Sequence, residues 1–232
     1  MRVRVARHGI ALLAAMWAMG LWMPTAYADE GWVITSFHSE IVIGADSALT
    51  ISEDIQVDFG SLQKHGIFRT IPLRYRYDDT HDRFYALEVI SVTDGSKPLP
   101  HSDSIDHDNY VIKIGDPSAL VSGANRYVIT YSVAGAMNSF SDHDELFWNV
   151  DGALWPVPKQ AVTASVVMPA DSFQKAACYQ GPAGSKETCT FSQDAAAAIE
   201  FSSTRQLASG EQMSIVTALN KGAVQVLSLI HI

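Results

Sequence analysis

The chain has 232 residues, with 16 Lys and Arg against 25 Asp and Glu, a formal net charge of −9, 47% hydrophobic and 18% charged residues. That much apolar material with so little charge excludes a disordered tail or polar linker. The acidic balance excludes binding along a nucleic-acid backbone and electrostatic adhesion to anionic lipid, both of which need a basic surface.

The first feature along the chain is a targeting segment. Arg2, Arg4 and Arg7 precede an apolar run over residues 10–23, Pro24 interrupts it, and Ala26-Tyr27-Ala28 has the small-x-small pattern of a signal peptidase site. The run is fourteen residues long, short of the roughly 20 that span a bilayer, so cleavage after Ala28 is predicted. Residues 1–28 hold three Arg and no acid, which leaves 13 bases against 25 acids and a mature charge of −12.

From Trp32 onward apolar residues alternate between Gly, Asp, Asn and Pro punctuation, the pattern of half-buried strands. Strands are predicted over 33–43, 49–59, 67–77, 84–93, 110–114, 126–134, 161–168, 198–203 and 213–219. The first two should form a hairpin about the turn Gly44-Ala45-Asp46-Ser47, and Ala195 to Ala198 reads as one helical turn. Without long helices for parallel crossovers, the expected fold is all-β: an antiparallel two-sheet β-sandwich of about nine strands in one domain, residues 29–222.

Two charges break the apolar pattern. Glu53 is the polar exception on the face formed by Leu49, Ile51, Ile55, Val57 and Phe59, and Arg69 is the charge among Ile67, Ile71, Leu73, Tyr75 and Tyr77. Each is costly to bury alone, whereas Arg grips a carboxylate through two parallel bonds, so a structural ion pair between Glu53 and Arg69 is predicted.

The segment Gly135 to Pro158 is the richest candidate site. Asp142, His143, Asp144 and Glu145 stand beside Phe140, Phe147, Trp148, Asn149 and Trp155. Carboxylates and a ring nitrogen suit a divalent cation and exposed Trp faces suit sugars or peptides, and Asp142, His143, Asp144, Glu145, Trp148, Asn149 and Trp155 are the candidate ligand-binding residues. The alternative is a polar turn whose aromatics plug the end of the sandwich. The Asp-x-Asp-x-Asp-Gly spacing of a calcium loop is absent, so no metal or cofactor is expected. His101 to Asp108 reads as a solvated loop. Cys178 and Cys189 are the chain's two cysteines; after export they are predicted to form a disulfide, with Gly181, Pro182 and Gly184 letting the intervening segment turn back. No His-Glu-x-x-His, Gly-x-Ser-x-Gly or phosphate-cradling loop occurs, and Ser61-Leu-Gln-Lys64 is a chance-level match to Ser-x-x-Lys, so no catalytic residue is assigned.

Ile51-Ser-Glu-Asp-Ile-Gln-Val-Asp-Phe59, His65-Gly-Ile-Phe-Arg-Thr-Ile-Pro72, Tyr127-Val-Ile-Thr-Tyr-Ser-Val133, Glu145-Leu-Phe-Trp-Asn149 and Trp155-Pro-Val-Pro158, in that order, resemble the N-terminal domain of the YciQ-like predicted membrane proteins. That family's domain has no assigned function, so the resemblance implies an architecture: a signal peptide, an extracytoplasmic β-rich domain and transmembrane helices. Residues 223–232 would then be either the start of a truncated membrane segment or an artefactual tail. The resulting expectation is a membrane-anchored recognition domain of the bacterial envelope, with an envelope ligand or membrane protein as partner and no nucleic acid. The rivals are a cell-envelope hydrolase or transferase using the 135–158 loop, and a structural subunit of a membrane complex.

Overall fold

The computed structural model describes residues 30–76, 82–193 and 198–226. The expected signal peptide, residues 195–197 of the expected helical turn and the tail from residue 227 lie outside the described residues. Among the described residues the chain is all-β, with seventeen strands and no helix.

The alternation seen in the sequence builds the first hairpin. β1 (Val33–Ile43) and β2 (Leu49–Asp58) pair antiparallel, and β2 buries Leu49, Ile51, Glu53, Ile55 and Val57 while the residues between them stay open. There follow β3 (Ile67–Pro72), β4 (Arg74–Arg76), β5 (Asp82–Phe84), β6 (Ala86–Thr93), β7 (His101–Asp106) and β8 (Asn109–Ile114). Next come β9 (Ala124–Ala134), β10 (Met137–Ser139), β11 (His143–Asn149), β12 (Val162–Val167) and β13 (Phe173–Gly181). The last are β14 (Glu187–Thr188), β15 (Thr190–Gln193), β16 (Ala198–Ser202) and β17 (Gln212–Asn220). They form a seven-stranded sheet in the order β15-β16-β12-β1-β2-β9-β6, a five-stranded sheet β10-β11-β17-β13-β14, a three-stranded sheet β3-β8-β7 and the pair β4-β5.

Several details depart from the sequence expectation. The count exceeds nine because short strands such as β5, β10 and β14 have too few residues to show a period. The pairing is not antiparallel throughout: β1 runs parallel to β12, with Phe37 opposite Val162, which the long intervening chain permits. The predicted 67–77 strand breaks at Leu73, whose N–H turns to the Asp108 carbonyl at 2.7 Å, just after Pro72, which has no N–H to give a ladder. The polar stretch expected as a loop is the edge strand β7, exposed along its length and recruited by its pairing to β8; backbone pairing overrides its poor apolar pattern.

One core joins the sheets. Phe37, Ile51, Tyr131, Leu146, Trp155, Ile199 and Ile215 all belong to the same buried cluster. A disulfide links Cys178 in β13 to Cys189 between β14 and β15, with Cα atoms 5.1 Å apart, and the Cys189 N–H also donates to the Cys178 carbonyl. Among the described residues no helix is long and apolar enough to cross a membrane.

Candidate functional site

Glu53 and Arg69, both buried, lie on inward faces of β2 and β3. Arg69 Nε donates to Glu53 Oε2 at 2.7 Å and Nη2 to Oε1 at 2.6 Å, a two-toothed grip. The Tyr131 hydroxyl donates to the same Oε1 at 2.6 Å. Burial disfavours the Arg69 cation, but the Glu53 charge and hydrogen bonds outweigh it and hold the guanidinium pKa above its ordinary value. Burial, with the Glu53 charge added, pushes the Tyr131 hydroxyl well up. The remaining Arg69 donor, Nη1, reaches the Asp151 carbonyl at 2.9 Å and the Thr70 carbonyl at 3.1 Å. The guanidinium also lies 5.5 Å from the Phe37 ring centroid and 5.9 Å from that of Trp155.

A second buried pair adjoins the first. Lys159 and Asp151 are both fully buried, with Nζ 2.8 Å from Oδ2. Lys159 Nζ donates to the Glu211 carbonyl at 2.6 Å, and the Met213 N–H donates to Asp151 Oδ1 at 2.7 Å. The Trp155 indole N–H donates to the Asp151 carbonyl at 2.9 Å. Asp151 with Lys159 and with Trp155 ties the loop from Val150 to Lys159 to itself, while Arg69, the Glu211 carbonyl and the Met213 N–H hold it from other segments.

Since Arg69 points inward, its neighbours Phe68 and Thr70 point outward, and both line a cleft of about 610 Å³. Lys113 of β8 and Leu154, Trp155 and Pro156 of the held loop complete much of its lining. Phe68 is 60% exposed and Leu154 50%, although each adjoins buried residues. Trp32 and Lys64 also line the cleft and share one oxygen: Trp32 Nε1 and Lys64 Nζ each donate to Glu30 Oε2 at 3.0 Å. These two bonds, Trp32 first, hold the Glu30 carboxyl below its usual range. Lys113 Nζ lies 5.9 Å from the Phe68 ring centroid. His65 Nδ1 lies 2.7 Å from the Ala119 carbonyl, and because a carbonyl only accepts, that nitrogen carries the proton.

Beside the cleft two backbones cross without room for a side chain. A Cβ on Gly66 would stand 1.9 Å from the Ile114 carbonyl oxygen, and one on Gly115 1.8 Å from that of His65. Both residues also have positive φ, +139° and +128°, so glycine is required twice over.

The candidate residues of the 135–158 segment do not meet at one surface. Along β11 His143, Glu145, Phe147 and Asn149 share one face and Asp144, Leu146 and Trp148 the buried other. Asp142, His143 and Glu145 do cluster: His143 Nδ1 lies 2.7 Å from Asp142 Oδ1, Nε2 lies 3.6 Å from Glu145 Oε2, and Phe140 stacks on the ring at 4.7 Å. Asp144 turns away to Lys221 at 2.8 Å and to the Gly222 N–H at 2.9 Å. Trp148 is 2% exposed and packs on Tyr85, while Asn149 accepts from the Ser214 hydroxyl. Trp155 is 3% exposed. The expectation of exposed Trp faces is therefore corrected: both rings serve the core, because strand alternation and the anchored loop turn them inward, and Trp155, though buried, borders the cleft. Ser61 of the Ser-x-x-Lys match lies on an exposed turn, and its Lys64 is bound to Glu30. Among the described residues no three His, Cys, Asp or Glu side chains are placed to hold one metal ion.

Asp151, Lys159 and the cleft give little sign of themselves in the sequence. Asp151 sits in a turn-like Val-Asp-Gly-Ala and Lys159 after a proline, neither on an alternating run that would betray burial. Phe68, by contrast, falls on the outer parity of a readable strand, and that misplaced aromatic is the signal available.

The family described as "Predicted membrane protein (DUF2207) N-terminal domain" matches residues 33–219. No curated protein matches the chain. Among solved structures, yeast LTA4 hydrolase is similar with a TM-score of 0.49 at 9% identity, over 87% of this chain and 31% of that one. An M1 zinc metallopeptidase from Deinococcus radiodurans has a TM-score of 0.45 at 10% identity, over 82% and 43%. A putative protease from Parabacteroides distasonis has a TM-score of 0.45 at 11% identity, over 82% and 41%. The chain thus spans less than half the length of these structures.

Proposed function

The chain belongs to the DUF2207 N-terminal domain family of predicted membrane proteins, and from that premise we propose that it is a non-catalytic recognition domain of the YciQ-like kind, held at the extracytoplasmic face of a bacterial membrane by membrane segments C-terminal to it. The domain takes its ligand in the cleft beside β3. The observation that carries this reading is the 610 Å³ cleft itself, with Phe68 and Leu154 exposed on its lining. Such a volume is the size of ordinary small-ligand sites, and an exposed aromatic flanked by buried residues has a cost that a ligand removes. The N-terminal targeting pattern and the Cys178–Cys189 disulfide support export, since disulfides persist in oxidising compartments. We take the seven- and five-stranded sheets as the two main layers of the domain.

The test is a fragment screen by protein-observed NMR. Amide shifts clustering at residues 64–70, 113–115 and 154–155, and lost with Phe68→Ala, are expected. Hits that map to other surfaces and survive that substitution overturn the assignment. An alkaline phosphatase fusion after residue 222 checks placement, with enzyme activity expected only if the domain is exported.

A second reading has one specific observation behind it. Asp142 sits 2.7 Å from His143 Nδ1, the geometry that orients a ring as general base, as an envelope hydrolase or transferase would need. This cluster contributes nothing to the cleft lining. Turnover of cell-wall or peptide substrates, abolished by Glu145→Gln, would replace the recognition reading.

A further inference from the structure

We infer that the cleft beside β3 takes a small amphipathic monoanion, its apolar or aromatic body lying on Phe68 and its carboxylate on Lys113. The inference rests on the recognition reading of the same cleft and gives its ligand a chemical class.

Charge comes first. The lining contains the carboxylate of Glu30, the ammonium groups of Lys64 and Lys113, and His65. Glu30 is taken by Lys64 at 3.0 Å and by the Trp32 indole, so these two charges cancel and neither is free for a ligand. Lys113 pairs with no carboxylate among the described residues; its ammonium lies beside the Phe68 ring. The cleft therefore holds one uncompensated positive charge in a chain whose formal net charge is −9. That local reversal is opposed by the field of the whole molecule, so it marks short-range recognition rather than steering. A single positive charge matches a carboxylate, whereas a phosphate monoester brings about −1.5 to −2 and would exceed it. A cationic ligand would find no free carboxylate.

The apolar half follows from the same residues. Phe68 projects outward from β3 between Ile67 and Arg69, which face the core and are each 2% exposed, so its 60% exposed ring stands on the solvent side of the strand. Leu154, Trp155 and Pro156 border the same space. Lys113 over Phe68 brings the cation and the apolar platform to 5.9 Å from each other, the separation between the head and the first carbons of an amphipath. The occupant is a small molecule because the volume, about 610 Å³, falls in the range of small-ligand pockets.

Four probes of equal chain length, used below their micellar concentrations, test this on the purified protein: decanoate, decyl phosphate, decyltrimethylammonium and decyl maltoside. Calorimetry and the fluorescence of the tryptophans bordering the cleft report binding. Decanoate is expected to bind at least tenfold tighter than the cationic and neutral probes and tighter than decyl phosphate. Lys113→Gln should weaken decanoate about tenfold and leave decyl maltoside unchanged, and Phe68→Ala should weaken both. The two positions are exposed, and unchanged circular dichroism and Tm will show that the variants fold. Equal affinity for all four probes, or decanoate binding indifferent to Lys113→Gln, overturns the anion assignment while leaving a recognition cleft in place. Binding indifferent to Phe68→Ala, or no binding of any probe, overturns the inference, and the first of these removes the cleft assignment as well.

Discussion

Substituting Arg69 by Met tests whether the buried pair is held together as the geometry indicates. The change removes both teeth of the grip on Glu53 and leaves a carboxylate that is 0% exposed with a single hydrogen bond, from Tyr131. Removing one member of a buried pair costs about 3–5 kcal/mol. The Thr70 and Val150 carbonyls also lose a donor, but the first bond is part-buried and the second is long at 3.4 Å, so together they add about 1 kcal/mol, the low end of the cost of an unpaired acceptor, for a total of about 4–6 kcal/mol. Against a typical stability of about 5–15 kcal/mol this leaves little, and at about 2–4 °C per kcal/mol for a domain this size Tm should fall by roughly 10–20 °C. Glu53→Leu alone leaves the cation buried and should cost about 3–5 kcal/mol. In the double variant neither charge of this pair remains, and only the unpaired carbonyls and the Tyr131 hydroxyl are left as costs. The double should therefore be more stable than Arg69→Met, with a coupling energy of about 3 kcal/mol or more. Urea unfolding followed by tryptophan fluorescence, read as a change in midpoint at constant slope, measures the cycle. Losses that simply add, within about 0.5 kcal/mol, would refute the pairing.

Gly115→Ala places a Cβ 1.8 Å from the His65 carbonyl and should unfold the β3–β8 crossing, whereas Gly60→Ala, with positive φ but nothing within 4 Å, should cost only about 1 kcal/mol; equal Tm changes in the two variants would contradict the crossing. Replacing both cysteines by Ala should lower stability by roughly 2–4 kcal/mol in chemical denaturation, and a null effect would show that the link between β13 and the β14–β15 connection constrains nothing. Burial pushes the Asp144 carboxyl up, but Lys221 and the Gly222 N–H outweigh it and hold the group below the usual carboxylate range. Its contribution is then fully present above the ordinary Asp pKa of about 4 and is lost as pH falls through the depressed value, because the unfolded chain takes up the proton first. Asp144→Asn should flatten that part of the acid limb of the Tm-versus-pH curve, and an unchanged limb would refute the assignment.

The all-β class was legible because β1, β2, β9 and β17 are long enough to display period two. Glu53 and Arg69 stood out on their strands because a charge on an apolar face must find an opposite charge to be buried there. What escaped reading depends on tertiary contact. β7 has no apolar alternation and exists by pairing with β8. The parallel register of β1 on β12 joins segments more than a hundred residues apart. Asp144 and Glu145 look equivalent in a run of polar residues, yet strand parity buries one against Lys221 and leaves the other half-buried on the opposite face beside His143. Trp148, a ligand platform by composition, is a core residue by the same parity, and Trp155 is one because its anchored loop turns it inward. The aromatic left outside is Phe68, on the outward side of the strand whose inward side carries Arg69.

The two sides of β3 explain why stability and recognition meet in this domain. Arg69 faces in and grips the Asp151 carbonyl, while Phe68 and Thr70 face out onto the cleft. Asp151 is in turn fixed by Lys159 and the Met213 N–H, and its carbonyl also receives the Trp155 indole. The loop that brings Leu154, Trp155 and Pro156 to the cleft is therefore anchored to the strand that supplies its other lining, through charges buried where solvent cannot loosen them. A buried ion pair adds little net stability compared with apolar residues of the same volume, but it fixes direction: a methionine at position 69 could fill space without specifying where residue 151 must sit. Preorganised walls lose less entropy on binding a ligand. The stabilised double variant should thus regain much of its Tm yet bind decanoate more weakly than the native protein, since the core would be refilled while the loop lost its anchor.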